Sequence, residues 1–330
     1  MSRIGVIGAG AWGTALAVAV RRAGSEVIIQ AHEDDTVSAI NKIHVNETFL
    51  PGCELDPEIK ATRKLAEAAD ADAVLLAAPA QHLRAVCAEA ASSWAEHVPA
   101  IICSKGIEEK SCALMSEVVG EVLPQRPIAV LSGPTFAIEV ARDLPTAVTL
   151  ACRDEVVGKV LMETLSSRRF RTYRSTDVVG AQIGGAVKNV LAIACGIVEG
   201  RKLGDNTRAA LVTRGLAEIT RLGLAKGAKA ETLAGLSGLG DLTLTCNAMQ
   251  SRNFSLGVAL GEGKNLEEIM GGRKSVAEGV FTASSVSELA RRMDVELPIC
   301  AAVDAVLNHG ADIDTAIAGL LSRPLKAETA

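Results

Sequence analysis

A lysine and an asparagine interrupt a strongly apolar stretch of the chain, residues 184–198, which reads GGAVKNVLAIACGIV. The neighbouring side chains favour burial, and burying an ammonium group without a partner is costly. Lys188 and Asn189 therefore either face water or are buried because the protein uses them. Burial lowers the pKa of a lysine, and a lysine of lowered pKa can give a proton to a reacting oxygen and take it back. Such a use would explain why Lys188 stands among apolar residues.

Polar residues also follow two strand-like runs. Lys105 comes just after the apolar run 100–103, and a Gly-Pro-Thr turn ending at Thr135 follows the run 128–131. In open α/β sheets, ligands bind beyond the carboxyl ends of the strands. Lys105 is therefore predicted to reach a ligand in that crevice. The alternatives are an ordinary solvated lysine and a simple β-turn.

An aspartate and an arginine in the second half could complete a polar site. Asp241 follows a Gly-Leu-Gly turn and could direct its carboxylate into a cavity, orienting Lys188 or bonding a substrate hydroxyl. A helix cap for residues 242–246 is the alternative. Arg252 stands in a Ser-Arg-Asn triplet, and its planar guanidinium matches phosphate oxygens, although an exposed loop of this composition would be unremarkable. Asn189 cannot share the helix face of Lys188, so we interpret it as a packing residue or a helix–helix hydrogen bond.

A glycine-rich turn, GAGAWG, joins the first predicted strand to the first helix. It contains Gly8, Gly10 and Gly13 and stands between the strand-like runs 4–7 and 27–30. The first glycine of such a motif permits a tight turn, the second lets the backbone approach a pyrophosphate, and the third brings helix and strand together. The helix N-terminus attracts the phosphates. The turn therefore predicts a dinucleotide site.

The sequence leaves the choice between NAD and NADP open. The second strand ends in Gln30-Ala31-His32-Glu33, where Glu33 comes one or two places late for the acid that normally bonds the ribose. No arginine follows locally for a 2′-phosphate. His32 could stack on adenine, bond a phosphate, or be an ordinary loop residue.

Strand and helix patterns alternate in the first half, and the strand patterns cease near residue 180. Strands are predicted over 4–7, 27–30, 73–77, 100–103, 128–131, 147–151 and 170–173, with helices such as 14–23 and 81–95 between them. This alternation indicates βαβ units and a mostly parallel sheet. The later patterns, over 209–222, 283–292 and 301–307, are helical. We therefore predict an α/β fold, with a Rossmann-like doubly wound domain over 1–180 and an all-helical domain over 181–330.

Composition excludes several classes of protein. The chain has 330 residues, 48% of them hydrophobic but only 2% aromatic, and a net charge of −5, which argues against a general nucleic-acid binder. Its eight cysteines form no C-x-x-C pair and the histidines show no ligand spacing, so we expect reduced buried thiols and no metal site. We expect no signal peptide before the first strand, and we expect Lys188 to interrupt the longest apolar run short of a membrane span. A cytoplasmic protein is expected, and the apolar helical domain suggests a homodimer.

Eight segments resemble segments that occur in the same order in NAD(P)-dependent glycerol-3-phosphate dehydrogenases of the bacterial type. They are GAGAWGTALA (8–17), SKGIE (104–108), SGPTFAIEVA (132–141), GGAVKNVLAI (184–193), TRAALVTRGLAEITRLG (207–223), GLGDLTLTC (238–246), QSRNFSLG (250–257) and VAEG (276–279). The resemblance spans nearly the whole chain. It implies reversible hydride transfer between NAD(P)H and dihydroxyacetone phosphate, giving sn-glycerol 3-phosphate for phospholipid synthesis.

The resemblance also implies residue roles, with Lys188 as the proton donor and acceptor. Implied substrate contacts are Lys105, Gly133, Thr135, Lys188, Asp241, Ser251, Arg252 and Asn253. Besides Gly8, Gly10 and Gly13, the implied cofactor contacts are Ala11, Trp12, His32, Lys105, Ala137, Arg252, Val276 and Glu278. Two positions depart from the family pattern. Ala80 replaces a usual serine, which puts a side-chain hydrogen bond there in doubt but not a backbone contact, and residues 30–32 lack a frequent aromatic residue.

Two other interpretations stay open on sequence alone. Another two-domain reductase, of the β-hydroxyacid or ketopantoate type, would also use a lysine on a long helix, but Arg252 should demand a phosphate rather than a carboxylate. A regulator that only senses a dinucleotide would need the glycine turn alone. The presence of Lys105, Lys188 and Asp241 speaks against such a regulator.

Overall fold

The computed structural model describes residues 2–271, 277–325 and 327. The strands are β1 (Arg3–Ile7), β2 (Glu26–Gln30), β3 (Val45–Asn46), β4 (Leu50–Glu54), β5 (Lys60–Thr62), β6 (Ala73–Leu76), β7 (Ala100–Ile102), β8 (Ile128–Ser132), β9 (Thr146–Cys152) and β10 (Phe170–Ser175). The first seven helices are α1 (Ala11–Arg22), α2 (Asp34–Ile43), α3 (Leu65–Ala69), α4 (Leu83–Ala90), α5 (Met115–Val122), α6 (Ala137–Ala141) and α7 (Glu155–Leu165). Short 3₁₀ turns cover Ala80–His82 and Ala91–Ser93.

The later part of the chain is helical, as predicted. It contains α8 (Val178–Gly200), α9 (Asp205–Ala225), α10 (Ala230–Leu233), a π-helical turn (Leu236–Gly240), α11 (Asp241–Thr245), α12 (Arg252–Gly261), α13 (Leu266–Gly271), α14 (Glu278–Arg292), α15 (Pro298–Asn308) and α16 (Ile313–Leu321). β10 ends at Ser175, so the division expected at residue 180 falls within the first turn of α8.

Eight strands form one twisted sheet in the order β10-β9-β8-β7-β6-β1-β2-β5. β6 is buried throughout, as expected of a central strand with helices on both faces. All seven predicted strands are present, and the sheet is mostly parallel. Two features differ from the prediction. β9 runs antiparallel to β8, because the segment between them holds only the short helix α6 and stays at the carboxyl edge of β8. The short edge strand β5 and the β3–β4 hairpin also escaped prediction.

The second half of the chain packs around α8, which is buried from Gly180 to Val198. Helices α9, α11, α12, α14 and α15 contact it on different sides. Among the described residues, α8 is the one helix that is long and apolar enough to cross a membrane. The expectation that Lys188 interrupts this run short of a membrane span is therefore wrong. Its most apolar part lies wholly inside the protein, which accounts for the composition by core packing.

Helices α8 and α12 approach each other at paired glycines. A Cβ atom at Gly196 of α8 would lie 2.1 Å from the carbonyl oxygen of Phe254, and one at Gly257 of α12 would lie 2.1 Å from that of Ile193. Real Cβ atoms do not approach oxygen so closely, so both positions require glycine. This backbone contact fixes the distance between Lys188 on α8 and the start of α12.

Replacing Gly257 with valine should therefore lower the free energy of unfolding by about 1–3 kcal/mol, because the helices must separate. The thermal unfolding midpoint measures the loss. Gly319→Ala is the control, since a Cβ atom at this position in α16 has no neighbour within 4 Å. That change should raise stability by about 0.5–1 kcal/mol through helix propensity. Equal midpoints for Gly257→Val and the wild type would contradict the account of α8–α12 packing.

Candidate active site

A cavity of about 720 Å³ opens between the glycine turn, the carboxyl edge of the sheet and helices α8 and α12. Most of the residues that the sequence indicated line it: Gly8, Gly10, Ala11, Trp12, Lys105, Thr135, Ala137, Lys188, Ser251, Arg252, Asn253 and Glu278. They come from segments spread along the chain, and the topology brings them together.

The glycine turn has the geometry predicted for it. Gly8 has a φ of +105°, which a residue with a side chain rarely adopts, and it starts the tight turn after β1. A Cβ atom at Gly13 would lie 1.8 Å from the carbonyl oxygen of Gly8, so α1 can pack this closely on β1 only with glycine there. A Cβ atom at Gly10 would meet nothing within 4 Å. Open space therefore lies beside the backbone where a pyrophosphate is expected.

Two further groups at the cavity suit a nicotinamide dinucleotide. The indole N–H of Trp12 is buried and has no hydrogen-bond partner within the described part of the chain. Glu278, the first residue of α14, also lines the cavity. Burial raises the pKa of its carboxyl, and the backbone N–H of Ala80 and the Arg252 cation oppose the rise.

A buried carboxylate joins the two lysines at the floor of the cavity. Asp241 is fully buried; one carboxylate oxygen accepts from Nζ of Lys188 at 2.5 Å, and the other accepts from Nζ of Lys105 at 2.6 Å. Lys105 also donates to the carbonyl oxygen of Gly133 at 3.2 Å. Two ammonium groups share one carboxylate, which leaves a net positive charge beside the cavity. Such a site attracts an anion or an oxygen atom that gains negative charge during a reaction.

The pKa of Lys188 is lowered to about 8. Burial is the largest cause, because it disfavours the charged form. The Asp241 carboxylate opposes this effect, and the nearby Lys105 ammonium reinforces it. The sequence predicted this direction from the apolar surroundings. Lys188 therefore changes its charge within a pH range where enzymes work.

The π-helical turn before Asp241 explains how the carboxylate arrives between the lysines. A Cβ atom at Gly184 of α8 would lie 2.3 Å from the carbonyl oxygen of Ser237, so this turn lies directly on α8. Asp241 is the first residue of α11 and makes no side-chain cap, since Gly240 holds the cap position. The alternative interpretation of Asp241 as a helix cap is wrong.

Thr245 is a member of the site that the sequence analysis missed. Its hydroxyl oxygen accepts from Nζ of Lys188 at 2.9 Å, and the hydroxyl donates to the backbone carbonyl of Asp241 at 2.6 Å. It lies one turn after Asp241 on α11, so the i, i+4 spacing from a suspected aspartate was the available signal. Thr245 lines the cavity and fixes the direction of the Lys188 ammonium.

The start of α12 presents the Ser-Arg-Asn triplet to the cavity. The Ser251 side chain caps the helix by accepting from the N–H of Phe254 at 3.2 Å, and Arg252 occupies the first helical position. A cation is unfavourable at a helix N-terminus, so the dipole and the Arg252 guanidinium both favour an anion there. The segment therefore provides donors suited to a phosphate.

A chain of amide hydrogen bonds links α8, α12 and α14 at the cavity wall. Asn253 donates to the side-chain oxygen of Asn189 at 3.0 Å and accepts from the backbone N–H of Gly279 at 3.0 Å. The helix–helix hydrogen bond expected of Asn189 is thus confirmed. Asn189 also lines the cavity, which the sequence analysis did not predict.

Some predicted residues lie outside the cavity lining. Gly133 and Asp241 lie behind the lysines, and Gly13 lies between helix and strand. His32 is exposed beyond β2. Val276 falls outside the described residues. Conversely, residues 48–51 of the unpredicted β3–β4 hairpin contribute to the lining.

The cysteines take no part in a metal or disulfide site that the described chain shows. All eight thiols are free and buried. Within residues 2–271, 277–325 and 327, no group of three or more His, Cys, Asp or Glu side chains could hold a metal ion.

Comparison with known proteins identifies the family. The family model of the NAD-dependent glycerol-3-phosphate dehydrogenase N-terminus matches residues 3–157, and that of the C-terminus matches residues 177–318. The chain belongs to this dehydrogenase family. It is therefore an oxidoreductase with a Rossmann-like N-terminal domain and a helical C-terminal domain.

Individual members of the dehydrogenase family are similar over their full length. The chain is 58% identical to glycerol-3-phosphate dehydrogenase (NAD(P)+) of Parvibaculum lavamentivorans, covering 99% of this chain and 98% of the relative. It is 60% identical to the enzyme of the same name from Rhodospirillum rubrum, covering 99% and 94%. The crystal structure of glycerol-3-phosphate dehydrogenase from Coxiella burnetii superposes with a TM-score of 0.94 at 40% identity, covering 98% of this chain and 99% of that one.

Proposed function

We propose that the protein catalyses the reversible NAD(P)H-dependent reduction of dihydroxyacetone phosphate to sn-glycerol 3-phosphate, with Lys188 as the general acid and base. The observation that carries the mechanism is the Lys188–Asp241–Lys105 cluster at the cavity floor. The names of the relatives support the substrate and the cofactor. The product would feed glycerophospholipid synthesis.

The residues at the cavity fit a nicotinamide dinucleotide. Gly8, Gly10 and the N-terminus of α1 would hold the pyrophosphate, and Trp12, Ala137 and Glu278 would contact the rest of the cofactor. His32 and Val276 are further proposed contacts. When bound, the reduced nicotinamide supplies a hydride to the carbonyl carbon of the substrate.

The proton is the part of the reaction that this chain supplies itself. As hydride reaches the carbonyl carbon, its oxygen gains negative charge and needs a proton. The Nζ–H bond of Lys188 breaks, the proton joins the oxygen, and a neutral amine remains. In the reverse direction the neutral amine takes the hydroxyl proton. Lys105 keeps a second cation beside the oxygen, and Asp241 holds both amino groups in position.

The phosphate of the substrate would bind at the start of α12. Arg252 offers a planar pair of donors, and Ser251 and Asn253 offer neutral donors beside it. Thr135, together with the Gly133 turn, would contact the substrate from the sheet side. The phosphate and the reacting oxygen of the substrate would thus be bound at different walls of one cavity.

We also propose how the chain is divided into functional units. Residues 1–180 form the dinucleotide-binding unit and residues 181–330 the substrate-binding unit. A homodimer as the working form stays a proposal made from the sequence, and the family supports a cytoplasmic location.

An absorbance assay at the reduced-nicotinamide band tests this function. Purified protein with NADPH or NADH should consume the cofactor rapidly when dihydroxyacetone phosphate is added, and should not consume it when no substrate is present. Carboxylate substrates of β-hydroxyacid and ketopantoate reductases should turn over poorly, because the Arg252 site suits a phosphate. Turnover of such a carboxylate in preference to dihydroxyacetone phosphate would refute the proposal.

Replacing Thr245 with valine should lower kcat for dihydroxyacetone phosphate by about 10- to 150-fold. The change removes one acceptor from a buried ammonium without changing its volume much, and a hydrogen bond to a charged group contributes about 1.5–3 kcal/mol. Thr245→Ser keeps the hydroxyl and should stay within a few fold of the wild type. Equal kcat values for the valine and serine variants, at equal thermal stability, would remove Thr245 from the positioning of Lys188.

A further inference from the structure

The carboxyl edge of the sheet continues past the glycine turn to two neighbouring strand ends. The N–H of Gly8 donates to the carbonyl oxygen of Gln30 at 3.1 Å, which ties the turn to the end of β2. The N–H of Ala31 donates to the carbonyl oxygen of Thr62 at 2.9 Å, which ties β2 to the end of β5. Gly8, Gln30 and Thr62 therefore follow one another along one edge. In this fold class, the ribose of the adenosine half lies at the end of the second strand.

An arginine directly after β5 lies at this position beside the end of β2. Arg63 is the first residue after β5, and the side-chain amide of Gln30 donates to its carbonyl oxygen at 3.5 Å. Its guanidinium reaches across to α2, where Nη1 donates to the carboxylate of Asp34 at 2.8 Å. The Arg63 side chain is 52% exposed and that of Asp34 is 77% exposed. The guanidinium thus stands at the surface beside the end of β2, with further N–H groups directed to solvent or a ligand.

The surrounding residues decide what this guanidinium would recognise. An acid that bonds the ribose hydroxyls normally ends the second strand in NAD enzymes, whereas a nearby arginine accepts the 2′-phosphate of NADP. Here the strand ends at Gln30 and Ala31 follows it, and neither residue is acidic. The acids come later, at Glu33, Asp34 and Asp35 around the start of α2, and Arg63 compensates the charge of Asp34.

We propose that Arg63 is the specificity-determining residue of the cofactor site and makes the protein prefer NADP(H) to NAD(H). The inference rests on the proposed dinucleotide function and adds the identity of the nucleotide. An exposed arginine–carboxylate pair contributes little to stability, so Arg63 can turn to a 2′-phosphate at small cost. A phosphate monoester carries nearly two negative charges and accepts two parallel N–H bonds from one guanidinium. Without Arg63, the three acids would repel the phosphate, so its loss should reverse the preference.

Calorimetric titration of the unliganded protein with two adenosine fragments tests the inference without turnover. The probes are adenosine 2′,5′-bisphosphate and AMP, which differ only by the 2′-phosphate, and the variants are Arg63→Ala, Arg63→Lys and Arg169→Ala. Arg169 is the matched control because it pairs with Asp143, is 54% exposed, and precedes β10 at the opposite edge of the sheet.

The wild type and Arg169→Ala should bind the bisphosphate at least about tenfold more tightly than AMP. Arg63→Ala should lose about 10- to 100-fold in affinity for the bisphosphate and stay within threefold for AMP, and Arg63→Lys should fall between. The ratio of kcat/KM for NADPH to that for NADH should fall in parallel.

Equal losses for both fragments in Arg63→Ala, or no loss for either, would overturn the assignment. A wild type that binds AMP as tightly as the bisphosphate would also overturn it. If binding is selective as stated but dihydroxyacetone phosphate is not reduced with either cofactor, the proposed reaction fails and the role of Arg63 stands.

Discussion

Replacing Lys188 with methionine should lower kcat for dihydroxyacetone phosphate reduction by a factor of about 100 to 10,000, the usual contribution of a positioned general acid. Methionine fills similar space in the core of α8 but carries no proton to transfer. Asp241 would keep Lys105 as its partner, so the variant should still fold. Because Lys188 lies on the helical side of the cavity, away from the glycine turn, affinity for NADP+ should change by no more than a few fold.

Lys226→Met is the control for removing a lysine. The Lys226 ammonium pairs with the carboxylate of Glu117 at 2.8 Å and lies outside the cavity lining. This variant should keep kcat within about twofold of the wild type. Turnover by Lys188→Met within tenfold of the wild type would refute the acid/base role of Lys188.

The second large effect is expected at Arg252, which should hold the substrate phosphate. Arg252→Ala should raise KM for dihydroxyacetone phosphate by about 10- to 150-fold, since a hydrogen bond to a charged group contributes about 1.5–3 kcal/mol. Arg252→Lys should recover part of the loss, because a point charge remains but the planar fork does not.

Unphosphorylated dihydroxyacetone separates phosphate binding from a general disturbance of the cavity. The Arg252→Ala variant and the wild type should have similar, low kcat/KM values for this substrate, since neither can use the phosphate contact. A proportional loss with both substrates would show that Arg252 acts on the cavity as a whole, and an unchanged KM for the phosphate ester would remove it from the phosphate site.

Local sequence signals were enough for the parts of the site that lie within one segment. The turn from Gly8 to Gly13 has its strand before it and its helix after it, so its geometry follows from adjacent residues. Lys188 was conspicuous because its neighbours are apolar, and its burial and lowered pKa follow from that contrast. The helical second half was equally readable from its apolar periodicity.

Contacts between distant segments were harder to predict. Asp241 was expected near Lys188, but its position between two lysines depends on how the π-helical turn packs on α8. Thr245 belongs to the cluster only because α11 begins at Asp241. Short elements carry too few residues for a pattern, and so β5 and the β3–β4 hairpin were missed.

Arg63 shows the same limit at the nucleotide site. Residues 31–35, directly after β2, contain no arginine, and sequence reasoning therefore found nothing to meet a 2′-phosphate. The parallel pairing of β5 with β2 brings Arg63 beside Asp34, although the two residues are 29 positions apart in the chain. No local sequence motif predicts such a contact between distant residues.

The pH dependence of kcat/KM in both directions tests the central claim most directly. The pKa of Lys188 is lowered to about 8, and reduction needs its charged form whereas oxidation needs its neutral form. Between pH 7 and 10, where the phosphate ester is fully charged, kcat/KM for dihydroxyacetone phosphate should be level up to about pH 8 and then fall tenfold per unit. Over the same range, kcat/KM for sn-glycerol 3-phosphate should rise up to about pH 8 and then level off. Two profiles that bend in the same direction, or stay flat across this range, would contradict proton transfer by Lys188.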